Sequence, residues 1–252
     1  MSRLALLLLF GFTLTATAQK KEPEKKELPK ILFAIPLVVA PGEKHKLVLR
    51  GKHLDTVKEI KVAGADGAKV KVLGGKKTSF GTNQPGDRLG DSEVEFELEL
   101  PKGTKPGATL TAIGPGGESK AYVLLIPDAT PRVDEKEPND GFDAAQTIPF
   151  PASVEGTIKN DKDVDVFKFE GKKGDKVKLE VQAARFGSPL DALLSLYDAD
   201  RKLLAAVDDT DGSPDPVISI ALPRDGAYFL TVIDAHDLGG SQFGYRLVLK
   251  KE

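Results

Sequence analysis

Apolar and polar residues alternate with a period of two through much of residues 31–127, which predicts β-strands that bury one face. The clearest example is the segment 93–100, in which four glutamates alternate with Val94, Phe96, Leu98 and Leu100. Pro-Gly and Gly-Gly pairs separate the short segments, as turns between strands require. We therefore predict a β-sandwich here, interrupted by a long polar loop at residues 73–92.

The same period continues to the C-terminus. Phe167 and Phe169 share one strand face, and residues 217–222 form an apolar run typical of a sandwich core. Three tyrosines fall on apolar faces, so we expect core positions for Tyr197, Tyr228 and Tyr245. Apart from a short helix near Asp143–Gln146, no helix is predicted. The fold class is therefore all-β, with two β-sandwich domains at residues 31–127 and 135–252 and a polar link at 128–134.

The first eighteen residues have the organisation of a secretory signal peptide. Arg3 precedes an apolar run from Leu4 to Leu14, and Ala16-Thr17-Ala18 provides small residues for cleavage. The run is shorter than the ~20 residues that a membrane-spanning helix needs. Residues 19–30 are charged and contain proline, so we expect a disordered tether. The sequence thus predicts a cleaved signal peptide and a secreted or periplasmic protein without a membrane span.

Composition excludes several functional classes. The net charge is −2 and no basic stripe with interleaved aromatic residues occurs, which argues against nucleic acid as a partner. The chain has no cysteine, and therefore neither disulfides nor a thiol nucleophile. It also lacks the Gly-x-Ser-x-Gly and His-Glu-x-x-His motifs, and His236 has the setting of an exposed loop residue. We predict that the protein is not an enzyme.

Residues 31–127 resemble the immunoglobulin-like IPT/TIG domain. The resemblance rests on turn and strand residues in a fixed order, namely Pro41-Gly42, Gly51 with Leu54, Ile60 and Val62, Pro101, Pro106-Gly107 and Gly114-Pro115-Gly116-Gly117. It implies that the first sandwich is immunoglobulin-like.

Residues 135–252 resemble the bacterial pre-peptidase C-terminal domain. The matching motifs are Glu137-Pro138-Asn139-Asp140, Gly156-Thr157-Ile158, Asp163-Val164-Asp165 with the following strand, Leu194-Ser195-Leu196-Tyr197, Asp208-Asp209 and Gly226-Ala227-Tyr228. The resemblance implies a jelly-roll-like sandwich of the kind attached to secreted bacterial enzymes, whose best-known examples are the collagen-binding modules of clostridial collagenases.

Acidic and amide side chains cluster at the start of this second region. Oxygen-bearing residues occur at Glu135, Glu137, Asn139 and Asp140, and Asp163 and Asp165 should share one face of a strand. Calcium takes six to eight oxygen ligands at flexible distances. The resemblance implies calcium binding by these same six residues, with Asp161 as a further candidate. The alternative is that the segment is an exposed charged linker.

A second acidic run, Asp208-Asp209-Thr210-Asp211-Gly212, does not fit an EF-hand. Counting from Gly212 places Val207 at the first ligand position and Ile218 at the twelfth, where a glutamate is required. We interpret this run as a turn.

Taken together, these features predict a secreted, non-catalytic, calcium-binding β-sandwich protein that binds an extracellular protein or polysaccharide, for example in adhesion. The alternative is an accessory subunit or targeting module of a secreted hydrolase, specifically a peptidase.

Overall fold

The computed structural model describes residues 26–79 and 86–252, and β-strands account for most of its regular structure. The predicted all-β fold class with β-sandwich domains is confirmed. The predicted signal peptide, residues 1–18, and the tether as far as residue 25 lie outside the described residues.

Eight strands and one helical turn build the first sandwich. They are β1 (Lys30–Ile35), β2 (Lys44–Lys52), β3 (Glu59–Ala63), β4 (Lys69–Lys77), α1 (Gly86–Leu89), β5 (Ser92–Glu99), β6 (Thr109–Gly114), β7 (Gly117–Glu118) and β8 (Tyr122–Val123). One sheet has the strand order β1-β2-β5-β4. The facing sheet has the order β3-β6-β7, and β8 also pairs with β6.

Strand β5 has the predicted alternation. Its apolar side chains are fully buried in the core between the two sheets, whereas its glutamates face outward. These glutamates pair across the sheet with cations of β2 and β4. Arg50 Nη1 lies 2.6 Å from Glu93 Oε2, and Lys44 Nζ lies 3.0 Å from Glu97 Oε1. The outward face is therefore a ladder of cross-strand ion pairs.

The predicted loop at residues 73–92 is wrong in its first part. Strand β4 continues to Lys77, with Gly75 opposite Val94 and Lys77 opposite Ser92 of β5. A register shift between Val72 and Gly74 absorbs the irregularity at this point. At the other end of the segment, Leu89 is fully buried, which fixes the return into β5.

Ten strands and one short 3₁₀ helix build the second sandwich. They are β9 (Arg132–Asp134), β10 (Gln146–Thr147), β11 (Ala152–Thr157), β12 (Asp165–Gly171), β13 (Lys176–Gln182), the 3₁₀ helix (Ala184–Phe186), β14 (Ala192–Asp198), β15 (Leu203–Val207), β16 (Val217–Ala221), β17 (Gly226–Asp234) and β18 (Gly244–Lys251). The two sheets have the orders β10-β12-β17-β14-β15 and β16-β13-β18-β11-β9. Their facing sides enclose a continuous apolar core.

Two predictions about this region are wrong. The helix expected near Asp143–Gln146 is a turn, in which the Ala144 N–H donates to the Gly141 carbonyl, followed by β10. Tyr197 is half-buried on the outer face of its sheet, because alternation turns it away from the inward-facing neighbour Leu196. Its ring packs edge-on against Phe142 at a centroid distance of 5.1 Å.

The two sandwiches contact each other directly. The Tyr122 hydroxyl donates to the Phe186 carbonyl at 2.6 Å, and Phe186 packs against a small apolar cluster formed by Leu37, Val38 and Leu125. Asp128, between the sandwiches, accepts a 2.8 Å hydrogen bond from Nη2 of buried Arg246 on β18. The segment joining the domains is thus bound to the second sandwich.

Candidate metal centre

The chain leaving β9 runs past the start of β12, which brings the predicted acidic segment to the end of that strand. The Glu135 N–H donates to the Glu155 carbonyl of β11, and the Val166 N–H donates to the Asn139 carbonyl at 3.0 Å. The parallel pairing of β9 with β11 sets the first of these anchors. These backbone hydrogen bonds therefore hold residues 135–139 against the start of β12, the strand that carries Asp165.

Three carboxylates converge at this point. Oxygens of Glu135, Glu137 and Asp165 all lie within 4.8 Å of one another. Asp165, the first residue of β12, is fully buried, and the Glu135 side chain is only 6% exposed. Buried carboxylates at such separations repel one another unless protons or a cation compensate their charge.

Asn139 completes the cluster with its side-chain amide. The residue is fully buried, and its NH₂ group donates to Glu137 Oε2 at 2.6 Å and to Asp165 Oδ1 at 3.2 Å. A rotation of this amide would turn its oxygen toward a cation bound among the carboxylates.

Donors surround the outer side of the cluster. The Tyr245 hydroxyl lies 2.6 Å from Asp165 Oδ2 and 3.1 Å from Glu135 Oε1. The Thr157 N–H donates to Glu135 Oε2 at 3.2 Å, and Lys159 Nζ lies 3.0 Å from Glu137 Oε1. One partly exposed lysine at the rim therefore faces three carboxylates.

The pKa values of two acids in the cluster, Asp165 and Glu135, are raised. Burial, and then the adjacent Glu135 carboxylate, raises the pKa of Asp165 to about 9. Burial also raises the pKa of Glu135, although hydrogen bonds from its neighbours oppose this shift. In the absence of a cation, the pair therefore retains a proton at neutral pH.

The other predicted ligands lie beside this cluster. Asp163 is not in the strand with Asp165 as expected, because β12 begins at Asp165 and Asp163 ends a turn closed onto the Asn160 carbonyl. Its Oδ2 accepts the Lys159 N–H at 2.6 Å. Asp140 is exposed, and slight desolvation followed by the charges of Asp163 and Glu137 raises its pKa. The two aspartates thus form a neighbouring acidic pair.

Asp161, the further candidate, is positioned away from the converging oxygens. Its Oδ1 accepts the Gly239 N–H at 3.2 Å, which ties the turn before β12 to the loop before β18. This contact gives Asp161 a structural role.

Sequence reasoning missed Tyr245 and Gly156 as parts of the site. Tyr245 is buried as predicted, but its hydroxyl carries two of the contacts described above, as buried tyrosine hydroxyls commonly require. Gly156 leaves room for them, because a Cβ there would lie 2.4 Å from the Tyr245 hydroxyl and 2.7 Å from Glu135 Oε1. A glycine inside a strand pattern is the sequence signal that could have indicated a close approach.

His236 has the predicted exposed setting. Its side chain is 63% exposed, and Nδ1 lies 3.2 Å from Asp191 Oδ2. Within residues 26–79 and 86–252, no serine or threonine hydroxyl is hydrogen-bonded to this ring. In the same described part of the chain, no helix has both the length and the apolar character needed to cross a membrane.

Comparisons with known proteins support the resemblance of the second sandwich to the bacterial pre-peptidase C-terminal domain. Residues 163–234 match the family model described as the bacterial pre-peptidase C-terminal domain. A probable subtilase-type serine protease from Deinococcus radiodurans is 39% identical over 129 residues, which are 50% of this chain and 17% of the protease. The chain therefore spans less than a fifth of the length of this curated relative. The pre-peptidase prediction is confirmed for residues 163–234, and the IPT/TIG resemblance stays a prediction.

Two solved structures are similar to part of this chain. The pre-peptidase C-terminal domain of collagenase from Bacillus anthracis is 15% identical and covers 46% of this chain and 100% of its own, with a TM-score of 0.34. PliG from Aeromonas hydrophila, a periplasmic inhibitor of g-type lysozyme, is also 15% identical and covers 48% of this chain and 100% of its own, with a TM-score of 0.32.

Proposed function

We propose that this chain is an exported, non-catalytic binding module whose second sandwich binds calcium. The observation that carries the proposal is the convergence of the Glu135, Glu137 and Asp165 carboxylates within 4.8 Å of one another, beside the buried Asn139 amide. These groups are all oxygen donors, and no histidine or cysteine belongs to the cluster, which favours a hard cation over zinc.

In this proposal, Glu135, Glu137, Asn139 and Asp165 hold the ion, and the adjacent pair Asp140 and Asp163 supplies further oxygens. The ion supplies the positive charge that allows Glu135 and Asp165 to be ionised together. Tyr245 and Thr157 orient the Glu135 and Asp165 carboxylates from behind. Lys159 is expected to turn toward solvent when calcium binds, because its side chain is 48% exposed and its charge is no longer needed at the rim.

Thermal unfolding and calorimetric titration test calcium binding. We expect calcium to stabilise the wild-type protein by RT ln(1 + [L]/Kd), about 2.7 kcal/mol at a hundredfold excess over Kd. In chelator, Asp165→Asn should be at least as stable as wild type because it removes one buried acid, whereas in calcium it should be less stable. Asp66→Asn, at an exposed position in the first sandwich, is the control. The absence of any shift at millimolar calcium would contradict the proposal.

The proposal of a binding role rests on the sandwich architecture and on the exposed setting of His236, whose ring contacts the Asp191 carboxylate. The expected partner is an extracellular protein or polysaccharide. Co-sedimentation with insoluble collagen, cell-wall and polysaccharide preparations tests this role, and retention in the supernatant with every polymer would count against it.

A second candidate is an accessory or targeting module of a secreted peptidase. The match to a segment of a probable subtilase-type protease favours it, because in that protein the similar segment is part of a longer chain. The discriminating experiment mixes the purified module with a secreted subtilase and measures complex formation and peptide hydrolysis. A specific complex without polymer binding would favour the accessory role.

A further inference from the structure

Strand β15 is an exposed, uncharged edge of the second sandwich. It lies last in its five-stranded sheet and, among the described strands, pairs only with β14. Its sequence is Leu-Leu-Ala-Ala-Val, Leu203 is 50% exposed, and Ala206 is also exposed. Such an edge offers backbone groups and apolar side chains to another strand.

Charged side chains occur on most of the other edge strands longer than three residues in the described part of the chain. β4 carries four lysines, β3 carries Glu59 and Lys61, and β1 begins with Lys30. Charged side chains on an edge strand are a common means of preventing further pairing. β16, which lies beside β15 on the facing sheet, likewise has no charged residue, so the uncharged surface extends across both sheets.

The residues that flank β15 make the segment complementary to itself. Arg201 and Lys202 precede the strand, and Asp208 and Asp209 follow it. In an antiparallel pair of two copies centred on Ala205, Lys202 of one copy lies opposite Asp208 of the other. Arg201 and Asp209 add charges of the same signs just outside these positions, and all four side chains are exposed. Both ends of the pair therefore bring opposite charges together.

This register is distinguished from its neighbours by charge. A shift of two residues in either direction places Lys202 opposite a neutral residue, Ala206 or Thr210, and the attraction to Asp208 is lost. Within the chain, Arg201 already contacts Asp143, whereas the ion pairs of the described residues include neither Lys202, Asp208 nor Asp209. Their charges are available for a second copy.

We propose that β15 is the interface of a symmetric homodimer, in which two copies pair antiparallel about Ala205 to form one sheet continuous across both. The interface is isologous, so the same strand serves both copies and pairing closes without forming a fibre. The proposal does not depend on calcium binding, because the Glu135–Asp165 cluster supplies none of the residues it uses.

A charge exchange tests the dimer. Sedimentation equilibrium and light scattering would measure the molar mass of the chain without its predicted signal peptide. Concentrations up to about 200 µM cover the dissociation constants of weak dimers. Lys202→Glu and Asp208→Lys each replace two attractive contacts with two repulsive ones, and each should weaken dimerisation about tenfold or more. The double variant Lys202→Glu/Asp208→Lys restores opposite charges and should restore the dimer. Lys105→Glu, in an exposed turn of the first sandwich, is the control.

The outcomes are distinct. A wild-type dimer that both single variants weaken and the double variant restores supports the proposal. A wild-type monomer throughout the concentration range overturns it, and so does a dimer that the single variants leave unchanged. Circular dichroism of every variant identifies misfolding, and a misfolded single variant is replaced by the corresponding neutral one, Lys202→Gln or Asp208→Asn, which should weaken the dimer to a smaller extent.

Discussion

The acidic cluster depends on one residue that contributes no side chain. Gly156 lies where β11 passes Tyr245 and Glu135, and a Cβ there would come within 2.4 Å of the Tyr245 hydroxyl. The Tyr245 hydroxyl and the Glu135 carboxylate both border the space that a side chain at position 156 would occupy. Neither group can move away from this space without losing hydrogen bonds. The site therefore requires a residue without a side chain at position 156.

We predict that Gly156→Ala destabilises the protein by about 1–3 kcal/mol and weakens calcium binding, because the added methyl group displaces Tyr245 and Glu135. Urea unfolding and calorimetric titration measure the two effects. Gly141→Ala is the matched control, since a Cβ there meets no atom within 4 Å. It should change stability by less than about 0.5 kcal/mol. Equal effects of the two substitutions would show that the close approach at Gly156 is unimportant.

Sequence reasoning found the acids but not the contacts that organise them. Local spacing pointed to Glu135, Glu137 and Asn139, because oxygen-bearing residues at alternate positions are visible in the sequence. The Tyr245 hydroxyl approaches Glu135 from 110 residues away in the chain. That approach follows from the pairing of β11 with β18, and no local pattern specifies which strands become neighbours.

At the scale of elements, strands with a clear two-residue period were the easiest to predict. β5 contains buried Val94, Phe96 and Leu98 on one side and charged glutamates on the other. The second half of β4 was missed, because Gly74-Gly75-Lys76-Lys77 has little intrinsic strand preference. Pairing with β5 decides its conformation, and Lys76 is held there by Glu93 at 3.2 Å.

The two faces of β5 should differ sharply in their contribution to stability. We predict that Phe96→Ala lowers the free energy of unfolding by about 3–5 kcal/mol, because the ring is fully buried in the first core. Glu95→Gln, on the outward face of the same strand, should cost less than about 1 kcal/mol because its partner Lys46 is exposed. Urea unfolding of both variants tests the contrast, and similar losses would contradict the assigned faces.

At the scale of the whole molecule, a buried cation connects the segment between the sandwiches to the second sheet. Arg246 on β18 is almost fully buried, and its guanidinium is hydrogen-bonded to Asp128 and to Gln182. Asp128 also pairs with Lys250 of the same strand. A buried guanidinium that loses its carboxylate is costly, so Asp128 should help to hold the joining segment on the second sandwich.

Asp128 should also make part of the stability dependent on pH. Partial burial alone would raise the pKa of Asp128, but hydrogen bonds from Lys250 and Arg246 outweigh this effect and hold the pKa below its usual range. Because the folded-state pKa is lower than the unfolded one, the carboxylate stabilises the protein above the unfolded value. This contribution is lost as pH falls below about 4 toward the folded-state value.

We therefore predict that Asp128→Asn is less stable than wild type by roughly 1–2 kcal/mol at pH 7, the partial exposure of Asp128 keeping the loss modest. The difference should shrink as pH falls below about 4, where the wild-type carboxyl begins to gain a proton. Urea unfolding at pH 7 and at a series of lower pH values measures this change. Asp66→Asn, remote from Arg246, should show no such convergence. A difference that stays constant down to the acid limit of folding would mean that the charge of Asp128 is not what stabilises its contact with Arg246.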